Sequence, residues 1–288
     1  MITKALLLLL CLPVVLAQLS VSQLSGFSAG KRAVTVQLSG TSNTNIVLCT
    51  YLQGLGYSVT SGRRTVNVVL ANGTVIGSAA SSTPLVSFET GNCGGAWSTW
   101  NVKIIVRGTD TARIQGHGGL GGAGEVDTGC DWWGSGGGGA GSAPGLSNTA
   151  GTAACGLFPA TNPGDPGTAT AGGAPGTGEV TNSGTTSTIP AEAGHAGGTA
   201  LRATTGGPNI TLEPEASATL QIWAGGGGGG GGAGTSASGG TGGGPGLPGG
   251  DAAFGVGAAG GSAGVKYSTP GAATITEVGP GTIDDRGL

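Results

Sequence analysis

Eight consecutive glycines, Gly225 to Gly232, stand between Ala224 and Ala233. A run like this is either a flexible linker or a strand that only glycine can form. The second option is an extended left-handed threefold helix with a rise of ~3.1 Å per residue, so eight residues span about 25 Å. Such a helix bonds nothing within itself, and its N–H and C=O groups need outside partners. If the neighbours are also glycine, no Cβ keeps the strands apart and they can bond laterally in every direction. Ordering each glycine costs ~1–2 kcal/mol of backbone entropy. A lateral hydrogen bond returns only ~0.5–1.5 kcal/mol. A lattice of this kind therefore needs many strands and firmly held ends. Further strands are on offer in His117 to Gly124, Gly136 to Gly139, Thr235 to Gly250 and Gly255 to Gly264.

Composition narrows the class. With 66 Gly and 14 Pro among 288 residues the chain lies in the range of low-complexity sequences. Charged residues make up only 9% and the net charge is −3, so self-repulsion does not keep the chain open. Collagen is excluded, because no strict G-x-y period runs through the sequence. The weak charge argues against nucleic acid and against a membrane-surface role. Apolar residues concentrate before residue 116, which is where a conventional core is expected.

Residues 1 to 17 read as a secretory signal. Lys4 gives the positive start, Ala5 to Val15 is an apolar stretch too short to span a bilayer, and Val15-Leu-Ala17 offers cleavage before Gln18, with an uncleaved N-terminal anchor as the alternative. An exported chain then keeps Cys49, Cys93, Cys130 and Cys155, an even set that suggests two disulfides. Three pairings are open. Cys49–Cys93 with Cys130–Cys155 is the expected one, because each pair then stays within one compositional zone.

The stretch before residue 116 reads as a small β-rich domain with one helix. Ala33 to Leu38 alternates as a strand. Thr44 is placed to cap a short helix from Asn45 to Leu55, ended by Gly54 and Gly56. Thr65 to Leu70 and Thr74 to Ile76 predict a hairpin about Asn72-Gly73. Pro84 to Phe88 is a further strand, and Asn101 to Val106 with Ala112 to Ile114 predicts another pair about Gly108-Thr-Asp110. Trp97 and Trp100 are expected in the core, and Trp223 over an end of the glycine strands. The full expectation is a mainly β chain. A signal occupies 1–17, a β-rich attachment domain 18–115, and a polyglycine II sandwich with intervening loops 116–288. Gly136, Gly139, Gly225 and Gly232 mark its glycine runs.

A weak internal repeat supports the anchoring idea. Val102-Lys-Ile-Ile-Val through Gly116, Ile210 through Gly225 and Ala273 through Gly287 each read strand, turn, short strand, glycine. Short β segments of this kind can clamp the ends of glycine strands.

Four features together resemble the glycine-rich receptor-binding proteins of bacteriophages, the adhesins of tail-fibre tips and glycine-rich tail-tip segments. They are Ala33-Val-Thr-Val-Gln-Leu38 before a helix ending in Gly56-Tyr57; Val66-Asn-Val-Val-Leu-Ala-Asn-Gly-Thr-Val-Ile-Gly77 with Ser82-Thr83 after it; Val102-Lys-Ile-Ile-Val106 with Arg113-Ile-Gln-Gly116 leading into glycines; and the glycine-run architecture itself. The resemblance spans roughly residues 30 to 288. It implies a polyglycine II core whose loops touch a bacterial outer-surface receptor, an outer-membrane protein or a polysaccharide, on a particle tip. The signal extends this to a filamentous particle, whose parts cross the inner membrane, or to a prophage-derived surface protein. The expected location is a virion surface or the extracellular space.

No catalytic constellation is visible, and an enzyme is not expected. His117 and His195 stand alone in glycine-rich stretches, no CxxC is present, and neither a metal nor a cofactor is implied. GxGxxG matches arise here from composition alone. The sharper candidate is Asp131-Trp132-Trp133. Two adjacent tryptophans among glycines cannot both turn into one core, and tryptophan is enriched at binding hot spots. Leu157, Phe158 and Phe254 are further receptor-contact candidates on loops. Two other classes fit the composition. One is a secreted glycine-rich ice-binding protein, although a tripeptide period and a regular Thr/Ala face are lacking. The other is a structural surface protein with disordered glycine tracts.

Overall fold

The computed structural model describes residues 33–42, 44–59, 64–77, 85–124, 126–127, 133–134, 141, 164–168, 170–175, 179–180, 188–189, 191–232, 238–252 and 257–287. The chain is mainly β. It winds as a coil that visits three sheets in turn. The first coil is β1 (Val34–Leu38), β2 (Thr41–Ser42) and β3 (Ile46–Val47), followed by helix α1 (Leu48–Gly54). The second is β4 (Thr65–Leu70), β5 (Val75–Gly77) and β6 (Val86–Glu89), followed by a 3₁₀ turn at Trp97–Thr99. The third begins with β7 (Asn101–Val106) and β8 (Thr111–Gln115). A glycine-rich excursion carrying β9 (Val126–Asp127), β10 (Trp133–Gly134), β11 (Glu179–Val180) and β12 (Thr188–Ile189) intervenes before β13 (Thr199–Arg202) closes the turn. The fourth coil is β14 (Asn209–Pro214), β15 (Thr219–Trp223), a second excursion through the eight glycines, and β16 (Tyr267–Ser268). β17 (Ile275–Glu277) and β18 (Thr282–Arg286) start a fifth.

Every pairing between coils is parallel. One sheet runs β1-β4-β7-β14-β17, a second β2-β5-β8-β15-β18, and a third β3-β6-β13-β16. Strict register stacks like on like. Val34, Val66, Val102, Ile210 and Ile275 form one column; Val36, Val68, Ile104 and Leu212 form another. Ile76, Ile114 and Ile222 line the second sheet, and Ile46, Phe88 and Leu201 the third. These side chains share a single apolar cluster, which Leu48, Leu52, Trp97 and Trp100 join. Each aliphatic side chain buried there contributes ~1.5–3 kcal/mol.

The internal repeat is thus real in space: its three copies are β7–β8, β14–β15 and β17–β18, stacked in register. The sheets also run past residue 115, since β13 to β18 extend the same three sheets that β1 to β8 open.

Two expected hairpins are not hairpins. β4 and β5 lie in different sheets, as do β7 and β8. Asn72-Gly73 and Gly108 turn a corner of the coil instead, with Gly73 at φ 72° and Gly108 at φ 58°. The corners bond to one another along the coil axis: Asn72 Oδ1 accepts the Thr111 N–H, and Glu215 Oε2 accepts the Gly108 N–H. An Asn-Gly turn specifies a sharp bend, not the direction in which the next strand finds its partner. The helix is also shorter than expected. Ile46 and Val47 pair with Phe88 and Glu89, so α1 starts at Leu48, and Thr44 bonds through its N–H to Ser42 Oγ rather than capping it. β-branched residues with a ladder to join favour the strand.

Cys49 and Cys93 form a disulfide, Cα to Cα 6.0 Å, tying α1 to the segment after β6. Cys130 and Cys155 lie outside the described residues.

Candidate functional site

Both excursions leave the coil from the same corner, between the second and third sheets, in adjacent coils. Their outgoing strands continue the β8–β15 ladder without a break. Gln115 is the partner of Trp223. Gly116 then donates its N–H to Trp223 O at 2.8 Å, Gly119 to Gly226 O at 2.8 Å and Gly122 to Gly229 O at 2.8 Å. The bonding step changes from two residues to three.

The same step governs the returning strands. Gly198, His195 and Glu192 donate to His117, Leu120 and Ala123 O, and the pairing goes on as Ile189 opposite Val126. The eight-glycine run donates from Gly225, Gly228 and Gly231 to Gly198, His195 and Glu192 O. From Gly227 and Gly230 it donates to Leu247 and Gly250 O, and at Gly225, Gly228 and Gly231 it accepts from Gly264, Gly261 and Ala258 N. Residues 224 to 232 are all buried.

Glycine is obligatory from Gly225 to Gly231. A Cβ on Gly225, Gly228 or Gly231 would lie 1.7–1.8 Å from the carbonyl oxygens of His117, Leu120 and Ala123. On Gly226 or Gly229 it would meet Gly243 and Gly240 O, and on Gly227 or Gly230 Gly261 and Ala258 O, all at 2.0–2.1 Å. Every third residue of the run therefore faces the same neighbour. The neighbours are backbone, which cannot step aside.

The junction between coil and tier is held by side chains. Trp223 is 2% exposed. The Arg113 guanidinium lies 3.7 Å and that of Arg286 4.1 Å from its ring centroid. Arg113 Nε donates to Gln221 Oε1 at 2.8 Å, Gln221 Nε2 to Asp284 Oδ2 at 3.2 Å, and Asp284 Oδ1 lies 3.6 Å from Arg286 Nε. Burial, reinforced by the Arg286 charge, pushes the Arg113 pKa down, and Asp284 opposes the shift. On the other side His117 is fully buried and its Nδ1 accepts the Leu85 N–H at 3.2 Å, which makes that nitrogen the unprotonated one. Trp223 thus stands at an end of the glycine strands, where its place in the sequence predicts it. The two arginines on its ring carry no local signal, although Arg113 and Arg286 fall in corresponding repeats.

The tier has a second end, away from the coil. In the first excursion the two antiparallel ladders β9–β12 and β10–β11 extend it, with Trp133 opposite Val180 in the outer one. Asp131, Trp132, Leu157, Phe158, Phe254, Gly136 and Gly139 lie outside the described residues; Gly225 and Gly232 belong to the buried run. Residues 172 and 173 return against the flank of the tier, where Gly242 donates to Gly173 O at 2.8 Å. Near the loop end Asp251 Oδ1 accepts the Gly260 N–H at 2.9 Å, and Glu192 Oε1 lies 3.7 Å from His195 Nε2. Among the described residues no group of three or more His, Cys, Asp or Glu is placed to hold a metal ion, and no helix is long and apolar enough to cross a membrane. Among the described residues the arrangement is a buried, hydrogen-bonded tier of extended strands that grows from one corner of the β-coil.

Compared with known proteins, the chain matches no family model, no curated protein and no solved structure.

Proposed function

We propose that the chain is a receptor-binding adhesin of a bacteriophage or phage-derived particle, exported through residues 1–17, and a binding protein rather than an enzyme. The observation that carries the reading is the placement of the excursions. Two long insertions leave adjacent coils at one corner and bond to each other for their first stretch, and in this reading the contact residues lie on loops beyond that stretch. Loops held this way lose little freedom on binding, so more of the contact energy appears as affinity. Their partner is a bacterial outer-surface receptor, a membrane protein or a polysaccharide. Asp131, Trp132, Trp133, Leu157, Phe158 and Phe254 are the contact residues, and the β-coil serves as the attachment body.

The tier itself is a polyglycine II lattice in this reading. The three-residue bonding step, the burial of 224–232 and the rotation of successive glycines toward three different neighbours all support it. Strands related by that step can be parallel, as 116–122 is to 223–229, or antiparallel, as 192–198 is to 225–231. A β-sheet offers bonding on two sides only.

The test is binding of labelled protein lacking residues 1–17 to a panel of Gram-negative strains and to their outer-membrane receptor mutants. Selective binding that disappears with one receptor supports the adhesin reading. A folded protein that binds no strain overturns it.

A further inference from the structure

The last coil departs from those before it at the positions that face the core. The column Val36, Val68, Ile104, Leu212 continues to Glu277, and the column Ile76, Ile114, Ile222 continues to Asp285. In the third sheet Ile46, Phe88 and Leu201 continue to Tyr267. The apolar members upstream are all buried. The two carboxylates are held where they stand: Tyr267 Oη donates to Glu277 Oε1 at 2.8 Å, and Lys266 Nζ pairs with Asp285.

Among the described residues β16, β17 and β18 are the outermost strands of their sheets at this end. Val278 N–H bonds inward to Leu212 O and Thr282 N–H to Ala218 O, so the alternate amides, at Ile275, Glu277, Ile283 and Asp285, face outward. Ile275 and Ile283 still pack on the core but are half-buried, and Val278 beside them is exposed. Open parallel ladders over a partly uncovered core make a template for one more coil. At the opposite end Val34, Val36 and Leu38 of the first coil are buried.

We propose that Glu277 and Asp285 form a stop: they keep a second copy of this chain from adding its own edge strands to the C-terminal coil. A copy seated here would enclose both carboxylates and the Lys266 ammonium at core positions. Removing those charges from water costs more than the apolar surface around them returns. Charged residues turned toward the core of an edge are a known means of preventing edge-to-edge association.

The experiment compares the wild-type chain with Glu277→Leu/Asp285→Ile by sedimentation velocity over a concentration series, and by hydrogen exchange on both. The wild type is expected to be free of association through this edge. The variant is expected to self-associate with a dissociation constant at least tenfold lower, and the amides of residues 275, 277, 283 and 285 should gain at least tenfold protection. A variant no more associated than wild type overturns the proposal. So does association without new protection at those amides, or a wild type that already protects them at high concentration. If the double apolar variant fails to fold, Glu277→Gln/Asp285→Asn keeps the shapes and removes the charge. It should associate through the same amides, and its remaining as unassociated as wild type overturns the proposal equally.

Discussion

Gly119 donates its amide N–H to the carbonyl of Gly226 at 2.8 Å, three residues beyond the bond from Gly116 to Trp223. At this point the two-residue step of a parallel β ladder becomes a three-residue step without losing register. The β-coil thereby supplies the anchored ends that a glycine strand cannot supply for itself. Its parallel strands β8 and β15 fix where 116–124 and 225–232 start and how they are aligned.

Replacing Gly228 by Ala should cripple the tier. The new methyl would sit 1.8 Å from Leu120 O, a backbone atom. The loss of unfolding free energy should exceed ~3 kcal/mol, the upper end of the usual cost of overpacking. Gly54→Ala is the matched control, because nothing lies within 4 Å of a Cβ there and it ends helix α1. That change should stabilise by ~0.5–1 kcal/mol. Urea titrations of both variants separate the outcomes.

Amides in the eight-glycine run should resist exchange although they belong to neither helix nor strand. Gly225, Gly227, Gly228, Gly230 and Gly231 each donate to a neighbouring carbonyl within a buried tier. A linker of the same sequence would exchange at the unprotected rate. Amide exchange followed by NMR on glycine-labelled protein reads this directly, and unprotected exchange would refute the packed tier.

Reduction should loosen the start of the coil. Cys49–Cys93 closes a loop with a sequence separation of 44 and ties α1 to the segment after β6. Cys49→Ser/Cys93→Ser should lose ~2–4 kcal/mol. The wild type should lose at least as much in melting temperature on adding reductant.

Alkali should weaken the last coil through Tyr267. Burial first, then its hydrogen bond to Glu277, raises the phenol pKa well above its ordinary 10.0. The folded state keeps the proton after the unfolded state has begun to lose it. The stabilisation is therefore full below pH 10.0 and declines as pH rises further. Tyr267→Phe should flatten that part of the stability–pH curve, measured by denaturation between neutral and alkaline pH.

Trp132→Ala with Trp133→Ala should remove receptor binding while leaving the melting temperature within a few degrees of wild type. Hot-spot tryptophans typically cost 2 kcal/mol or more when truncated, roughly a thirtyfold loss of affinity. Unchanged binding to a receptor-positive strain would exclude these two side chains from the contact.

The strands, the repeat and the Cys49–Cys93 pair were legible because each rests on local chemistry: alternation in Val34 to Leu38, the matched segments after Val102 and Ile210, and two cysteines within one apolar zone. The coil was not legible. Alternation says which side of a strand is buried, but not whether the next strand folds back or moves to another sheet. The period was hidden as well. Val66 is 32 residues after Val34 and Val102 is 36 after Val66, but the excursions through 116–198 and 224–266 separate the later coils unevenly. The stacking of Arg113 and Arg286 on Trp223 required the register of three strands far apart in sequence. Among the contact candidates only Trp133 has a described backbone, on the outer ladder opposite Val180.

The three-residue bonding step sets a rule for how such a chain can change length. Removing or adding one glycine in 225–232 would turn every later residue toward the wrong neighbour, much as a single-base change shifts a reading frame. Adding three would keep each residue facing its old partner, provided the strands beside it at 116–124, 192–198, 240–250 and 258–264 grew by the same amount. Height can therefore vary only in whole steps shared by the bundle.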